Sequence, residues 1–377
     1  MGDICCKPRG FYAEAGAVHR RVSLRRKVSV VVGSHTDDVA IEMVRVLAER
    51  GSHVIFGTDD TEAVAEYLQD LQWDVRAARK KQHVKAIAVE IGSPDSVRDF
   101  VDRIEDRGLP VNLLLVVGER EAPNAYATYG ETATEWVSAT TLYGPALLTH
   151  LLLPSMRKTT SGCRIIFTVP EMPAQRAGSM TVESNGYSAK SAQKTVSTAL
   201  TVFAREFNRQ AVISGDLIRV NVAYPGNVDH FEPGLGCGAR CAKTCCVFDL
   251  KTPMQGAATP TLLALAPIFA PSNDHGGRVF HNMLPAKGYE PLFGDDEAAA
   301  AVWTDVESAV MVAASLEDAS EGYAGVFWPT AGTFGVGSSD NAGSSDGKGG
   351  KKKKKDKKKK SKVCDLFVGC RAVAAWV

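Results

Sequence analysis

Short β-branched runs alternate with amphipathic stretches through most of this chain, and that alternation leaves few folds open. The runs are Val28–Val32, Val54–Gly57, Lys85–Val89, Leu113–Val117, Arg164–Val169, Leu217–Ala223 and Arg278–His281. Helical periodicity fills the intervals near 38–50, 61–71, 95–107, 131–157, 186–209, 254–265 and 295–315. Parallel strands need crossovers of a dozen or more residues, and helices of this length supply them. The pattern predicts right-handed βαβ units and an α/β fold: a doubly wound parallel sheet, Rossmann-like, with helices on both faces. Such sheets bind ligands beyond the carboxyl ends of their strands, where the strand order reverses.

The rest of the chain is organised by charge. The net charge of +1 over 377 residues conceals a segregation. Residues 1–27 carry about +5 and residues 348–362 about +10, against about −14 for residues 28–347. Four segments are expected: a basic arm over 1–26, a globular domain over 27–330, a Gly/Ser linker with a lysine-rich run over 331–362, and a short apolar tail over 363–377. The Gly332–Gly350 stretch holds too little apolar surface to order itself. Two basic arms on an acidic body favour an anionic partner, a membrane surface before a nucleic acid. The run "KKKKKDKKKKSK" has no interleaved aromatics to stack on bases, so sequence-specific nucleic-acid recognition is not expected. No window reaches the roughly 18 unbroken apolar residues of a spanning helix.

The opening "MGDICCKPRG" places Gly2 after the initiator Met, the start of a myristoylation pattern, although Cys6 stands where Ser or Thr is preferred. Cys5 and Cys6 sit beside it, where palmitoylation would add a second chain. One acyl chain binds a membrane marginally, and two signals anchor stably. The expected location is therefore the cytoplasmic face of a membrane, peripheral through a lipid anchor, and otherwise the cytoplasm. Ser23, in "RRVS", lies in a basic-directed kinase context, and a phosphate there would cancel part of the arm's attraction to lipid. The tail "VCDLFVGCRAVAAWV" is too short to span; Cys364 or Cys370 could carry a further acyl group.

The nine cysteines read as cytosolic thiols, since no secretory leader is evident. Cys237, Cys241, Cys245 and Cys246 lack the Cys-x-x-Cys spacing of zinc sites, so no metal is expected.

Several stretches, in order, resemble the short-chain dehydrogenase/reductase superfamily. "KVSVVVGSHTDDVAIEMVRVLAERGSHVIFGTDD" is similar to its first βαβ unit, and "AIAVEIGSPDSVRDFVDRI" to its third strand and following helix. "LYGPALLTHLLLPSM" resembles the long fourth helix, "GYSAKSAQ" the active-site helix, and "IRVNVAYPGNVD" the sixth strand with its Pro-Gly turn. "KTPMQGAATPTLLALAP" and "GGRVFHN" resemble the retinol dehydrogenase branch, which includes the WW-domain-containing oxidoreductase.

The resemblance implies a dinucleotide site and a catalytic group, and each can be checked against the residues present. The family's Gly-x-x-x-Gly-x-Gly turn falls on Ser34, Asp38 and Ala40, or keeps one glycine as Gly33 after a one-residue shift. Asp37 and Asp38 stand where the helix wants an N-cap, and a capping carboxylate takes the amides a pyrophosphate would use. Asp59 lies where an acidic residue would hold the adenine ribose, with no basic neighbour for a 2′-phosphate, so NAD rather than NADP is the cofactor if one binds. Glu90 replaces the family's aspartate near the adenine, and Val116–Glu119 replace its Asn-Asn-Ala-Gly. Pro225 and Gly226 keep the turn beside the nicotinamide, with His230 in place of a threonine. For catalysis the resemblance implies Tyr187 as proton donor. Lys190 at i+3 or Lys194 at i+7 stands for the lysine at i+4, and Thr141 for the relay asparagine. The serine has no counterpart, with Thr168 and Ser179 off register.

The expectation is a membrane-tethered protein of this fold with a weak or lost cofactor site, binding an unknown protein partner as a scaffold. The competing expectation is an active NAD-dependent oxidoreductase on a lipophilic alcohol or carbonyl of retinoid or steroid type.

Overall fold

The computed structural model describes residues 12–77, 83–118, 121–130, 134–175, 181–228, 250–289 and 296–313. Its first half runs β1 (Val28–Val32), α1 (Asp38–Glu49), β2 (His53–Thr58), α2 (Ala65–Ala77), β3 (Val84–Ala88), α3 (Pro94–Glu105) and β4 (Leu113–Val117). A short helix α4 (Trp136–Ser138) leads through a π-helical stretch, Ala139–Tyr143, into α5 (Gly144–Arg157). Then follow β5 (Cys163–Thr168), α6 (Ala189–Ile213), β6 (Ile218–Tyr224), β7 (Asn227–Val228) and β8 (Leu250–Lys251). The described part closes with α7 (Pro253–Gly256), α8 (Ala258–Leu265), β9 (Val279–His281), β10 (Leu284–Pro285) and α9 (Asp296–Ala313).

The sheet has the expected doubly wound form, in the order β10-β9-β6-β5-β4-β1-β2-β3. All neighbours pair in parallel except β10, which turns back antiparallel on β9. The order reverses between β1 and β4, which places the ligand crevice beyond the carboxyl ends of those strands. Every residue of β1 and β4 is buried, as strands covered on both faces require. Their side chains alternate between two cores. Val28, Val30 and Val32 face one layer with Phe100, Leu148 and Phe203; Val31 faces the other with Met43, Leu47 and Leu262.

Four expectations need correction in detail. The helix expected over 61–71 begins only at Ala65, because Asp60 Oδ1 ties the amides of Glu62 and Ala63 into a turn. The single helix expected over 131–157 is interrupted by the π-helical stretch. The helix expected over 254–265 divides at Ala257. The helix expected from residue 186 starts at Ala189, since extended Ser188 caps it through Ser191 N.

The basic arm is docked from Tyr12 onward. Ala15, Val18 and Leu24 are buried in the second core, and Arg50 Nη2 donates to the carbonyls of Gly16 and Val18 at 3.0 Å each. Residues 1–11 and everything after Ala313, including the lysine run and the tail, lie outside the described residues. Among the described residues no helix is long and apolar enough to cross a membrane.

Candidate functional site

The crevice is built from the turn after β1, the ends of β2, β3 and β4, the start of α6 and the segment after β6. Gly33 closes β1, with its amide on Gly57 O at 3.0 Å. A β-carbon there would come within 2.8 Å of Ala40 Cβ, so this glycine serves the close packing of α1 against the sheet. Ser34 Oγ spends itself within the turn, 3.0 Å from Thr36 Oγ1 and 3.4 Å from Asp59 Oδ2.

The helix that should present free amides to a phosphate is capped from within. Asp37, extended and 7% exposed, accepts from Val39 N at 2.8 Å and Ala40 N at 3.2 Å. Of the two acids expected at the N-cap, Asp37 is the capping group, and Asp38, aligned with a turn glycine, is the first helical residue. A carboxylate in that place also meets the positive end of the helix dipole and repels a phosphate.

Asp59 is likewise engaged. It accepts from the His35 amide at 2.8 Å and the Thr58 hydroxyl at 3.0 Å, with His35 Nδ1 3.0 Å away. Burial alone would raise its pKa, but the His35 amide and side chain and the Thr58 hydroxyl together bring it below the ordinary value. Glu90 takes the Tyr129 hydroxyl on Oε2 at 3.3 Å, while its amide donates to Ser96 Oγ. Burial, with Glu90 adding to it, pushes the Tyr129 phenol up to about 12.

The catalytic candidates are not brought together. Tyr187 precedes α6, so helical spacing does not relate it to either lysine. Its hydroxyl donates to Pro123 O at 3.2 Å and its ring meets Tyr126 edge-on at 5.9 Å. Burial and then Glu135 raise its pKa, the opposite of what a neighbouring lysine would do for a proton donor. Lys190 is 82% exposed with Glu171 at 4.0 Å, and Lys194 is exposed on the outer side of α6. The buried polar residue between them is Gln193, which the sequence reading missed. Thr141, in the π-helical stretch, and Thr168, at the end of β5, are buried. Neither hydroxyl has a hydrogen-bond partner among the described residues. A cavity of about 280 Å³ beside Tyr187 is lined by Thr181, Asn185, Ser191 and Thr195, away from the β1 turn.

After β6 the chain packs a buried lysine against its Pro-Gly turn. Gly226 has φ +92°, and its Pro225 carbonyl accepts Lys251 Nζ at 2.6 Å. Lys251 is 2% exposed, and its ammonium lies 4.8 Å from the centre of the Tyr12 ring. A β-carbon on Gly226 would come within 2.7 Å of that nitrogen. Helix α7 then leans on the start of α1: a β-carbon on Gly256 would meet Val228 at 2.5 Å and Val39 at 3.1 Å. Nothing in the sequence marked Lys251, since lysines are seldom fully buried.

The start of α1 does not fit a pyrophosphate, because Asp37 holds the amides of Val39 and Ala40, whereas Asp59, with its close contacts on Oδ1 and its side chain 45% exposed, keeps Oδ2 open to a ribose hydroxyl. Ser23 is exposed, its Oγ accepting weakly from Arg25 N at 3.4 Å. Gly2, Cys5, Cys6, Glu119, Ser179, His230 and the Cys237–Cys246 group lie outside the described residues.

Residues 27–231 match the family model of the short chain dehydrogenases. The chain is 27% identical over 254 residues to polyprenol dehydrogenase of Danio rerio, covering 64% of this chain and 74% of the relative. It is 27% identical over 307 residues to retinol dehydrogenase 13 of Homo sapiens, covering 78% and 87%. Among solved structures, an uncharacterized protein from Mycobacterium Paratuberculosis superposes with a TM-score of 0.55 at 20% identity, over 79% of this chain and 97% of that one. L-sorbose reductase from Gluconobacter frateurii, complexed with NADPH and L-sorbose, superposes at 0.51 and 18% identity, over 69% and 95%. With strands β1 to β6 all inside the matched span, the chain belongs to the short-chain dehydrogenase/reductase superfamily and resembles its retinol dehydrogenase branch.

Proposed function

We propose that this protein keeps the short-chain dehydrogenase fold as a binding scaffold at a membrane and has given up dinucleotide chemistry. One observation carries the reading: the Asp37 carboxylate occupies the Val39 and Ala40 amides at the start of α1, the donors a pyrophosphate would need. The separation of Tyr187 from Lys190 and Lys194 supports it, because proton transfer to a carbonyl needs a phenol with a lowered pKa. The crevice then serves as a surface for recognition, and a lipophilic alcohol or carbonyl of the kind named in the relatives polyprenol dehydrogenase and retinol dehydrogenase 13 is its small-molecule ligand class.

The membrane attachment rests on sequence: Gly2 for myristate, Cys5 and Cys6 for palmitate, and the basic residues that follow. Phosphorylation of exposed Ser23 loosens that attachment.

Calorimetric titration of the full chain with NAD, NADH and NADPH tests the first part. The expected result is no heat of binding at millimolar cofactor. Micromolar binding would restore an oxidoreductase working through NAD, and a substrate screen would follow. For the second part, Gly2→Ala should move the protein from the membrane to the soluble fraction of cells, and Ser23→Asp should do so in part. Unchanged partitioning of Gly2→Ala would remove the lipid anchor.

A further inference from the structure

Strand β3 ends the sheet on one side, and no strand pairs with its outer edge among the described residues. An unpaired edge is a template for another strand unless its polar groups are covered. Which groups point outward follows from the ladder. Val54 N donates to His83 O and Val89 N donates to Thr58 O, both at 2.9 Å, so His83 and Val89 face β2. Strand alternation turns Lys85 and Ile87 the same way, and turns Val84, Ala86 and Ala88 outward. The Val84 amide is met by Gln72 Oε1 at 2.7 Å. That leaves the carbonyl of Val84 and both backbone groups of Ala86 and Ala88 along the free edge, without partners among the described residues.

A groove of about 420 Å³ runs beside this edge, formed with the last turn of α3. Ile87 packs into the core layer that holds Phe100 and Ile104 of α3, so Lys85, two residues earlier, lies on the α3 face as well. Arg103 and Arg107 line the same groove, with Asp106 the one carboxylate. Lys85, Arg103 and Arg107 are exposed, and none is in an ion pair among the described residues.

We propose that the β3 edge, with Lys85, Arg103 and Arg107, is a docking site for an extended acidic peptide that adds to the sheet as a further strand. Main-chain hydrogen bonds would give such a strand its affinity, and alternate side chains its specificity. The cations lie on one face, so the peptide carries its acidic residues at every second position. A second copy of this chain is disfavoured, because edge-to-edge pairing would set Lys85 of one copy near the same cations of the other. This site lies apart from the crevice, and it stands whether or not a dinucleotide binds.

The test uses the full chain and a fluorescein-labelled peptide of alternating Glu and Val, read by anisotropy. The same peptide with alternate amides N-methylated keeps its charge but cannot complete the ladder. Binding of the first peptide, lost on N-methylation and weakened about tenfold or more by Lys85→Glu with Arg103→Glu, supports the site. Circular dichroism checks the fold of the variant, and the N-methylated peptide needs no variant at all. Equal binding of both peptides would assign the attraction to the lysine run and overturn the proposal. So would an absence of binding, displacement of the peptide by poly-uridine, or a dimer in sedimentation that Lys85→Glu with Arg103→Glu alters.

Discussion

Lys251 Nζ donates to the carbonyl oxygen of Pro225 at 2.6 Å, and the lysine is 2% exposed. The aliphatic stem fills the space beside Gly226 that any side chain at that glycine would need. Lys251→Ala removes the stem and the bond together, and is expected to cost about 2–4 kcal/mol from the cavity and the buried carbonyl left behind. Lys251→Met keeps the volume and loses the bond together with the charge over the Tyr12 ring, so about 1–2 kcal/mol is expected. Urea unfolding of the two variants measures the difference. Equal losses would mean that the polar contacts of the ammonium, and not the volume of the stem beside Gly226, are what the residue supplies.

Asp37 and Asp38 are adjacent acids with different work. Asp37→Ala removes the cap of α1 and should cost about 0.5–2 kcal/mol, whereas Asp37→Gly should cost a few tenths. Asp38→Ala leaves the cap in place and should cost less than Asp37→Ala. Thermal melts of the three variants rank them. Asp37→Gly also frees the amides of Val39 and Ala40, so it is the variant in which NADH binding should first become measurable by calorimetry. Asp38→Gly should leave that binding unchanged.

The sheet was legible because its signal is local. Five consecutive buried residues such as Val28–Val32 or Leu113–Val117 announce a strand covered on both faces, and both ranges agree with the expectation residue for residue. Helix α3 starts at Pro94, one residue before the expected 95, where Ser93 caps it through Ser96 N. The departure from the family's glycine turn stands in the sequence itself, but the geometry of that turn does not. Whether Asp37 or Asp38 caps α1 depends on one residue of backbone phase. Whether Tyr187 shares a helix with Lys190 depends on Ser188 being extended at φ −141°. Lys251 could not be foreseen, since its partners Pro225 and Tyr12 are brought to it by tertiary packing. The docking of residues 12–26 was hidden for the same reason: the cationic composition of the arm pointed to an anionic partner, while Ala15, Val18 and Leu24 bury in the second core.

His150 and Glu307 join α5 to α9 inside the aromatic group of Phe203, Phe207 and Trp303. His150 Nδ1 lies 2.8 Å from Ala146 O, and Nε2 lies 2.7 Å from Glu307 Oε1. Both residues are buried, at 1% and 6% exposure. Glu307→Ala leaves His150 Nε2 without its partner and a cavity beside it, so it should cost about 2–4 kcal/mol. Replacing both by apolar side chains, as in His150→Phe with Glu307→Leu, leaves no buried polar atom unpaired and should cost less than the single change. Chemical denaturation of the single and double variants checks this. A double variant as unstable as Glu307→Ala would show that volume and not pairing decides.

Asp59 should make stability depend on pH in the acid range. Burial pushes its pKa up, but the hydrogen bond from the His35 amide, the nearby His35 ring and the hydrogen bond from the Thr58 hydroxyl outweigh it, so the folded value lies below the unfolded one. A depressed carboxylate pKa stabilises the fold above the unfolded value, near about 3.9, and that contribution is lost as pH falls through the folded value. The side chain is 45% exposed, so solvent screens the effect and keeps it modest. Asp59→Asn can still accept from the His35 amide and removes the charge alone. The gap in urea midpoint between the parent and Asp59→Asn should therefore be constant above about pH 5, narrow as acid is added, and close toward pH 2. A gap that persists unchanged at pH 2 would show that the amide's shape, and not its lack of charge, separates the two proteins.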